Sequence, residues 1–287
     1  TEIIGRIQMS KLNPQYLFKD KEHHDPSALS DYDTLDFVSN DQHVYGEIMW
    51  PDGEYSALRP CVIMLHGFPG SARNDDIAHA LCRIGCVVMV PHHRGAWGSE
   101  GKYLITHCIE DARNLVDYAK SDAFCRRYNV DARNIVLPGH SMGANTALNA
   151  GKSISDIRGL ILITPFDPTR YLCEEKRKYL TALLEKGKIL QSDGAEYIYQ
   201  DVEQHRDQMN FEKAFEKIKD QNILCLAGEY DSCAPISEMV QPLWSKLEAH
   251  HTQAVQRLKI YPAEHGLLGC RVSAITEIAD FLTQICS

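Results

Sequence analysis

The stretch Leu137-Pro-Gly-His-Ser-Met-Gly-Ala-Asn145 closes an apolar run, Asn134-Ile-Val-Leu-Pro138, and opens a segment with helical character, Ala144 to about Ile154. Inside it, Gly139-His140-Ser141-Met142-Gly143 fits the pattern G-x-S-x-G, which has its chemical meaning only on a strand-to-helix turn. A serine on so sharp a turn has unusual backbone angles and close neighbours on both sides, so side chains at Gly139 and Gly143 would crowd the strand and the helix. The hydroxyl of Ser141 then projects at the carboxyl end of the strand. The helix start beneath it favours negative charge, and the Met142 N–H is placed to bind an oxyanion. The plainer alternative is a helix-capping serine in a glycine turn.

A serine hydroxyl is a weak nucleophile at neutral pH and needs a base, and the base needs an orienting carboxylate. Two later strand ends supply them. Asn222-Ile-Leu-Cys-Leu-Ala-Gly228 runs into Glu229-Tyr-Asp231, and Arg257-Leu-Lys-Ile-Tyr-Pro262 runs into Ala263-Glu-His265. Asp231 is preferred over Glu229 because it sits further along its loop, where a carboxylate can turn toward the histidine. His265 is the candidate base, and the alternative for it is a surface loop histidine. A second oxyanion donor is expected from His66-Gly-Phe-Pro-Gly70, which follows the first parallel strand. Phe68 has an N–H to offer there and Pro69 has none.

Outward from these motifs the chain alternates short apolar runs with helical stretches. The runs begin at Cys61, Cys86, Asn134, Gly159, Asn222 and Arg257, and suit parallel strands buried on both faces. Helices are expected near 73–84, 105–120, 142–152, 236–249 and 269–285. Ahead of them, Asp33–Ser39 and His43–Pro51 read as an antiparallel hairpin. The expected fold class is therefore α/β, with a mostly parallel twisted sheet covered by helices on both faces. Residues 1 to about 30 read as an irregular arm and 31–287 as one domain. Within it, about 166–219 hold no strand-like run and read as a small helical cap inserted after Ile161-Leu-Ile-Thr-Pro165.

Composition narrows the function classes. The 287 residues carry a formal net charge of -9 with both signs mixed along the chain, which argues against nucleic acid as the main partner. No stretch reaches the roughly 18 apolar residues needed to span a bilayer. Ten cysteines are scattered, many inside apolar runs, and read as reduced core thiols of a cytoplasmic protein. The first residues contain no apolar core of signal-peptide length, although the sequence starts at Thr1 and a removed leader stays open. The adjacent pairs His23-His24, His92-His93 and His250-His251 make poor chelates because neighbouring side chains diverge, so no metal site is expected.

Taken together, "HGFPG", "GHSMG", "GEYDSCAP" and "EHG" in this order resemble the α/β-hydrolase family over about 34–287. "PHHRGAWGSEGKY" further resembles the catalytic domains of prolyl-oligopeptidase-like serine peptidases and bacterial esterases of the cinnamoyl/feruloyl and dienelactone-hydrolase-related type. Dienelactone hydrolases themselves use cysteine where this chain has Ser141. The resemblance implies acyl transfer to water: Ser141 as nucleophile, His265 as base, Asp231 as orienting acid, the Phe68 and Met142 amides as oxyanion hole, and no metal or organic cofactor. It implies a small-molecule ester substrate first and a short peptide or amide second, since about 30 residues precede the fold where large peptidases of this type carry another domain. A non-catalytic binding protein on the same fold is the third reading. Tyr171, Tyr197 and Tyr199 of the cap either contact substrate or pack the cap helices. Arg94 and Trp97 are expected to brace the loop beside the oxyanion site. The oligomeric state is left open.

Overall fold

A computed structural model describes residues 12–53 and 57–286; the first eleven residues of the expected arm lie outside the described residues. Eight strands form one sheet in the order β1-β2-β4-β3-β5-β6-β7-β8. The first two, β1 (Asp31–Ser39) and β2 (Gln42–Trp50), pair antiparallel through a tight turn at Asn40 and Asp41, both with positive φ as such two-residue hairpin turns require. The next six are β3 (Arg59–Ile63), β4 (Val87–Pro91), β5 (Val130–His140), β6 (Gly159–Ile163), β7 (Ile223–Gly228) and β8 (Gln256–Tyr261). They run parallel to one another, and β2 joins β4 antiparallel. All six apolar runs of the sequence become strands.

Alternate residues of the central strands enter two cores. Cys61, Ile63, Val87 and Met89 point into one, and Val62, Met64, Val88 and Val90 into the other. The helices α1 (Asp75–Arg83) and α11 (Arg271–Ile285) cover the second core. On the first lie α2 (Ile105–Lys120), α3 (Asp122–Tyr128), α4 (Met142–Gly151) and the helices from the long insertion. The short α3 has no counterpart among the expected helices, though its end signals are present. The hydroxyl of Ser121 accepts from the Phe124 N–H, and Asn129 ends the helix in the left-handed conformation. The helix expected over 236–249 is two, α9 (Ile236–Met239) and α10 (Gln241–Ala249), broken at Val240. Pro242 explains the break: it lacks the N–H, and its ring excludes the carbonyl four residues back.

Between β6 and β7 the chain forms a short 3-10 turn (Pro168–Tyr171) and then α5 (Glu174–Leu184), α6 (Ala195–Gln204), α7 (Arg206–Met209) and α8 (Phe211–Ile218). These form the small helical cap that the sequence pattern suggests, with one refinement. The last helix, α8, packs on α4 and α10 and so belongs to the layer against the sheet. The rest is tied to the body by polar contacts. Asp201 accepts from both the N–H and the hydroxyl of Thr106, at 3.0 and 2.7 Å, and the Tyr103 N–H donates to the Gln191 carbonyl at 2.7 Å. Because β3 to β8 are parallel, the loops leaving their carboxyl ends gather at one edge of the sheet, beneath this cap.

Candidate active site

Ser141 stands alone between the end of β5 and the start of α4, with φ 58° and ψ −120°, a region that L-residues avoid. The surroundings enforce it. The Ser141 N–H donates to the Ile163 carbonyl of β6 at 2.9 Å, and its own carbonyl accepts from the amides of Ala144 and Phe166. A side chain at Gly139 would run into the Gly143 carbonyl, and one at Gly143 into the carbonyls of Leu65 and His66. The turn therefore exists only with glycine at both positions. The helix-capping alternative does not describe this serine, because its hydroxyl makes no capping bond to α4.

Instead Ser141 Oγ lies 2.8 Å from His265 Nε2, and His265 Nδ1 lies 2.8 Å from Asp231 Oδ2. These three side chains come from the ends of β5, β8 and β7. Asp231 is buried, and its other oxygen accepts the amides of Cys233 and Ala234 at 2.9 and 2.8 Å. Burial pushes the Asp231 carboxyl up, but the hydrogen bond from His265 and those from the two amides outweigh it, and its pKa falls below the ordinary carboxylate value. Glu229, the alternative acid, is exposed on the same loop.

The loop after β3 closes the other side of Ser141. Gly67 packs so tightly that an added Cβ would sit 2.8 Å from the His140 carbonyl and 3.1 Å from Ser141 Cβ. His66 holds the loop's shape: its Nδ1 bonds the Gly67 carbonyl at 2.8 Å, and its Nε2 accepts the His93 N–H at 3.2 Å. That pattern requires a neutral ring with the proton on Nδ1. Burial, with His93 beside it, pushes the His66 pKa down to about 3, in keeping with neutrality. Among the described residues, neither the Phe68 nor the Met142 amide is paired with a carbonyl in the turns and caps around the site.

Two aromatic pairs flank the serine. Phe68 meets Tyr103 edge-on at 5.6 Å and lies directly beneath Gly187 of the cap. On the other side Phe166, whose amide bonds the Ser141 carbonyl, stacks on Tyr171 at 5.5 Å. Burial first, and then the negative charge of Glu238, raise the Tyr171 pKa. Of the three cap tyrosines, only Tyr171 is brought to the site. Tyr199 is buried inside the cap with Arg177 over its ring at 4.1 Å, and Tyr197 faces an outer groove with Lys102 and His107. Phe166 and Tyr103 were not singled out from sequence, since neither belongs to a motif. Arg94 braces the loop as expected, bonding Asp111 through its Nε at 2.6 Å, and the Trp97 Nε1–H donates to the Gly70 carbonyl at 3.1 Å.

Among the described residues no group of three histidine, cysteine or acidic side chains is arranged to hold a metal ion, and no helix is long and apolar enough to cross a membrane. His92 is occupied differently from a ligand, its Nε2 accepting from Arg73 at 3.2 Å.

An eight-stranded sheet of this order, with a serine on a strand-to-helix turn, is the architecture of the α/β-hydrolase fold. The family of the serine aminopeptidases S33 matches residues 56–210, and this chain belongs to that family. The fold recurs in solved structures of low identity. The α/β hydrolase GrgF from Penicillium sp. sh18 is 18% identical, with a TM-score of 0.66 over 89% of this chain and 99% of that one. An esterase from Pyrococcus furiosus is 18% identical, with a TM-score of 0.66 over 98% of both chains. Brefeldin A esterase, a bacterial homologue of human hormone sensitive lipase, is 15% identical, with a TM-score of 0.67 over 95% of this chain and 82% of that one. No curated protein matches significantly in sequence.

Proposed function

We propose that this protein is a serine hydrolase that cleaves carboxylic esters through an acyl-enzyme. The observation that carries the reading is the pair of 2.8 Å contacts linking Ser141 to His265 and His265 to Asp231. Ser141 Oγ attacks the ester carbonyl carbon as His265 Nε2 takes its proton. The carbonyl oxygen gains the negative charge and is held by the Phe68 and Met142 amides. Asp231 fixes the proton on His265 Nδ1 and stabilises the imidazolium, and its lowered pKa keeps it ionised for that role. The imidazolium then protonates the leaving alcohol as its C–O bond breaks. Water, deprotonated by His265, attacks the acyl-serine, and collapse of the second tetrahedral intermediate frees the acid and returns the proton to Ser141. No metal or organic cofactor enters these steps.

The flanking rings of Phe68, Tyr103, Phe166 and Tyr171 favour an apolar acyl group, with the cap from about 166 to 210 as its roof and the rest of 31–287 as the catalytic body. Ten free cysteines, six of them buried, favour a reducing compartment such as the cytoplasm. The second reading, a small serine aminopeptidase or amidase, is favoured by the family to which the chain belongs. Parallel assays on short aryl esters and on aminoacyl-arylamides separate the two. Ester turnover well above amide turnover is expected, and the reverse ranking selects the peptidase. In either case Ser141→Ala abolishes turnover.

A further inference from the structure

His265 stands on the loop that follows β8, and among the described residues β8 is an edge strand, paired on one side only, to β7. The strands that carry Ser141 and its neighbour, β5 and β6, lie further in. A base on an edge loop needs a tie to the centre of the sheet if its imidazole is to stay within 3 Å of the serine. Two side chains supply it, and both grip the main chain of His265 rather than its ring. Thr164 Oγ1, just past β6, donates to the His265 carbonyl oxygen at 2.9 Å, and His140 Nε2, at the end of β5, bonds the same oxygen at 3.2 Å.

Both residues are in conditions that need explaining. Thr164 is buried and β-branched yet has φ 40°, in the left-handed region where such residues are rare. Its N–H is fixed to the Leu226 carbonyl of β7 at 2.7 Å, so the backbone holds the hydroxyl on the line toward the histidine loop. His140 is buried with its ring centre 5.1 Å from that of His265, and its Nδ1 has no hydrogen-bond partner among the described residues. Facing a carbonyl, Nε2 must carry a proton, and a buried Nδ1 with no acceptor to donate to suits a ring that carries no second one. Burial first, and then the neighbouring His265, keep it so by pushing its pKa down to about 4. A neutral His140 donates to the carbonyl without opposing positive charge on the adjacent imidazole.

We propose that Thr164 and His140 are positioning residues: together they clamp the His265 main-chain carbonyl from β6 and β5, and so set Nε2 on Ser141 Oγ. This rests on His265 being the base. The acid loop is outside the clamp, so the geometry assigns separate supports to the two halves of the relay. Asp231 holds the far side of the ring, and the clamp holds the backbone from which the ring projects.

The test is a donor series on the whole chain, read by the burst rate on a short aryl ester together with KM and the melting temperature. Thr164→Val keeps the shape and removes the donor. Thr164→Ser keeps the donor. His140→Phe keeps a ring without the N–H, and His140→Gln restores an N–H. Thr164→Val and His140→Phe are expected to slow the burst about fivefold each, with KM within about twofold, while Thr164→Ser and His140→Gln recover most of the rate. The double variant Thr164→Val/His140→Phe is expected to lose about thirtyfold or more, since either donor alone still holds the oxygen. Melting temperatures distinguish this from unfolding, and the His140 pair answers the question if Thr164→Val fails to fold. Donor-less variants at the wild-type burst rate, or donor-keeping variants as slow as the donor-less ones, would overturn the clamp. Failure of the underlying reading looks different: wild-type protein itself then gives no burst and no labelling at Ser141.

Discussion

The turn around Ser141 and the insertion between β6 and β7 place side chains by opposite means. The turn has no freedom: two glycines meet backbone carbonyls, the Ser141 amide is tied to β6, and its carbonyl is tied to Ala144 and Phe166. Backbone contacts of this kind allow one geometry or none. Apart from the backbone bonds at Gln191, the insertion is held by side chains that reach between it and the body, including Asp201 to Thr106, Lys102 to Asp193 at 2.5 Å, and the Asn145 and Asn149 amides to the Met209 carbonyl. Such contacts can be lost one at a time. The difference separates a rigid site for bond-making from a roof that can be altered without rebuilding the site.

The largest effect expected on the rigid side follows from Asp231→Asn. The Cys233 and Ala234 amides keep the side-chain oxygen, so the new NH2 group faces His265 Nδ1 and favours the wrong tautomer, and kcat should fall about 10⁴-fold while the fold and the site geometry persist. Steady-state kinetics beside a circular dichroism spectrum check this. Gly143→Ala comes next. Its methyl group meets two backbone carbonyls that cannot move independently, and a loss of about 4 kcal/mol or more in denaturant unfolding is expected. If Gly143→Ala is instead as stable as wild type, the turn is softer than the comparison claims.

Acid should act on the body. His66 and His93 are pushed down to about 3 and His140 to about 4, in each case first by burial, and all three stand at or just past strand ends. In the unfolded chain they titrate near the ordinary value of about 6.5. Above that pH both states are neutral at these positions and nothing changes. Below it the unfolded chain binds protons that the folded protein refuses, so stability falls as pH falls toward 4, by up to about 1.4 kcal/mol per pH unit for each histidine. Urea midpoints between pH 7 and 4 check the slope, and His140→Phe should make it shallower.

The smallest effect belongs to the cap. Asp201→Ala leaves the Thr106 N–H without its partner at a half-buried position and is expected to cost about 1–2 kcal/mol. Hydrogen exchange should rise in α5 and α6 and stay unchanged in β5 and α4. Labelling of Ser141 by a small phosphonate should keep its rate while turnover of larger esters changes. Equal disturbance of both regions would erase the distinction between them.

The same division decides what could be read from sequence. Five of the six parallel strands are buried and announce themselves as apolar runs, the sixth, β8, is a more exposed edge strand, and Ser141, Asp231 and His265 could be chosen because each sits just past a strand. Gly139 and Gly143 were legible for a steric reason, and the structure shows the carbonyls responsible. The cap is harder to read because its helices bury narrow stripes. In α6 only Ile198, Tyr199, Asp201 and Val202 are buried, a pattern too mixed to stand out in a charged stretch. Nor could the three tyrosines be told apart: Tyr171 comes to the site through its stack on Phe166, set by the short 3-10 turn at Pro168–Tyr171, which no residue pattern marks. Thr164 and His140 left no signal either. Their acceptor is a backbone carbonyl, which every residue has, so no residue type marks the partner.

The most direct test of the account is covalent labelling of folded protein by a fluorophosphonate, followed by peptide mapping and repeated on Ser141→Ala and His265→Ala. The account predicts a single adduct on Ser141, none on Ser141→Ala, and labelling of His265→Ala slower by several orders of magnitude. An adduct on another residue, or a Ser141 that stays unlabelled while the wild-type protein is folded, would contradict it.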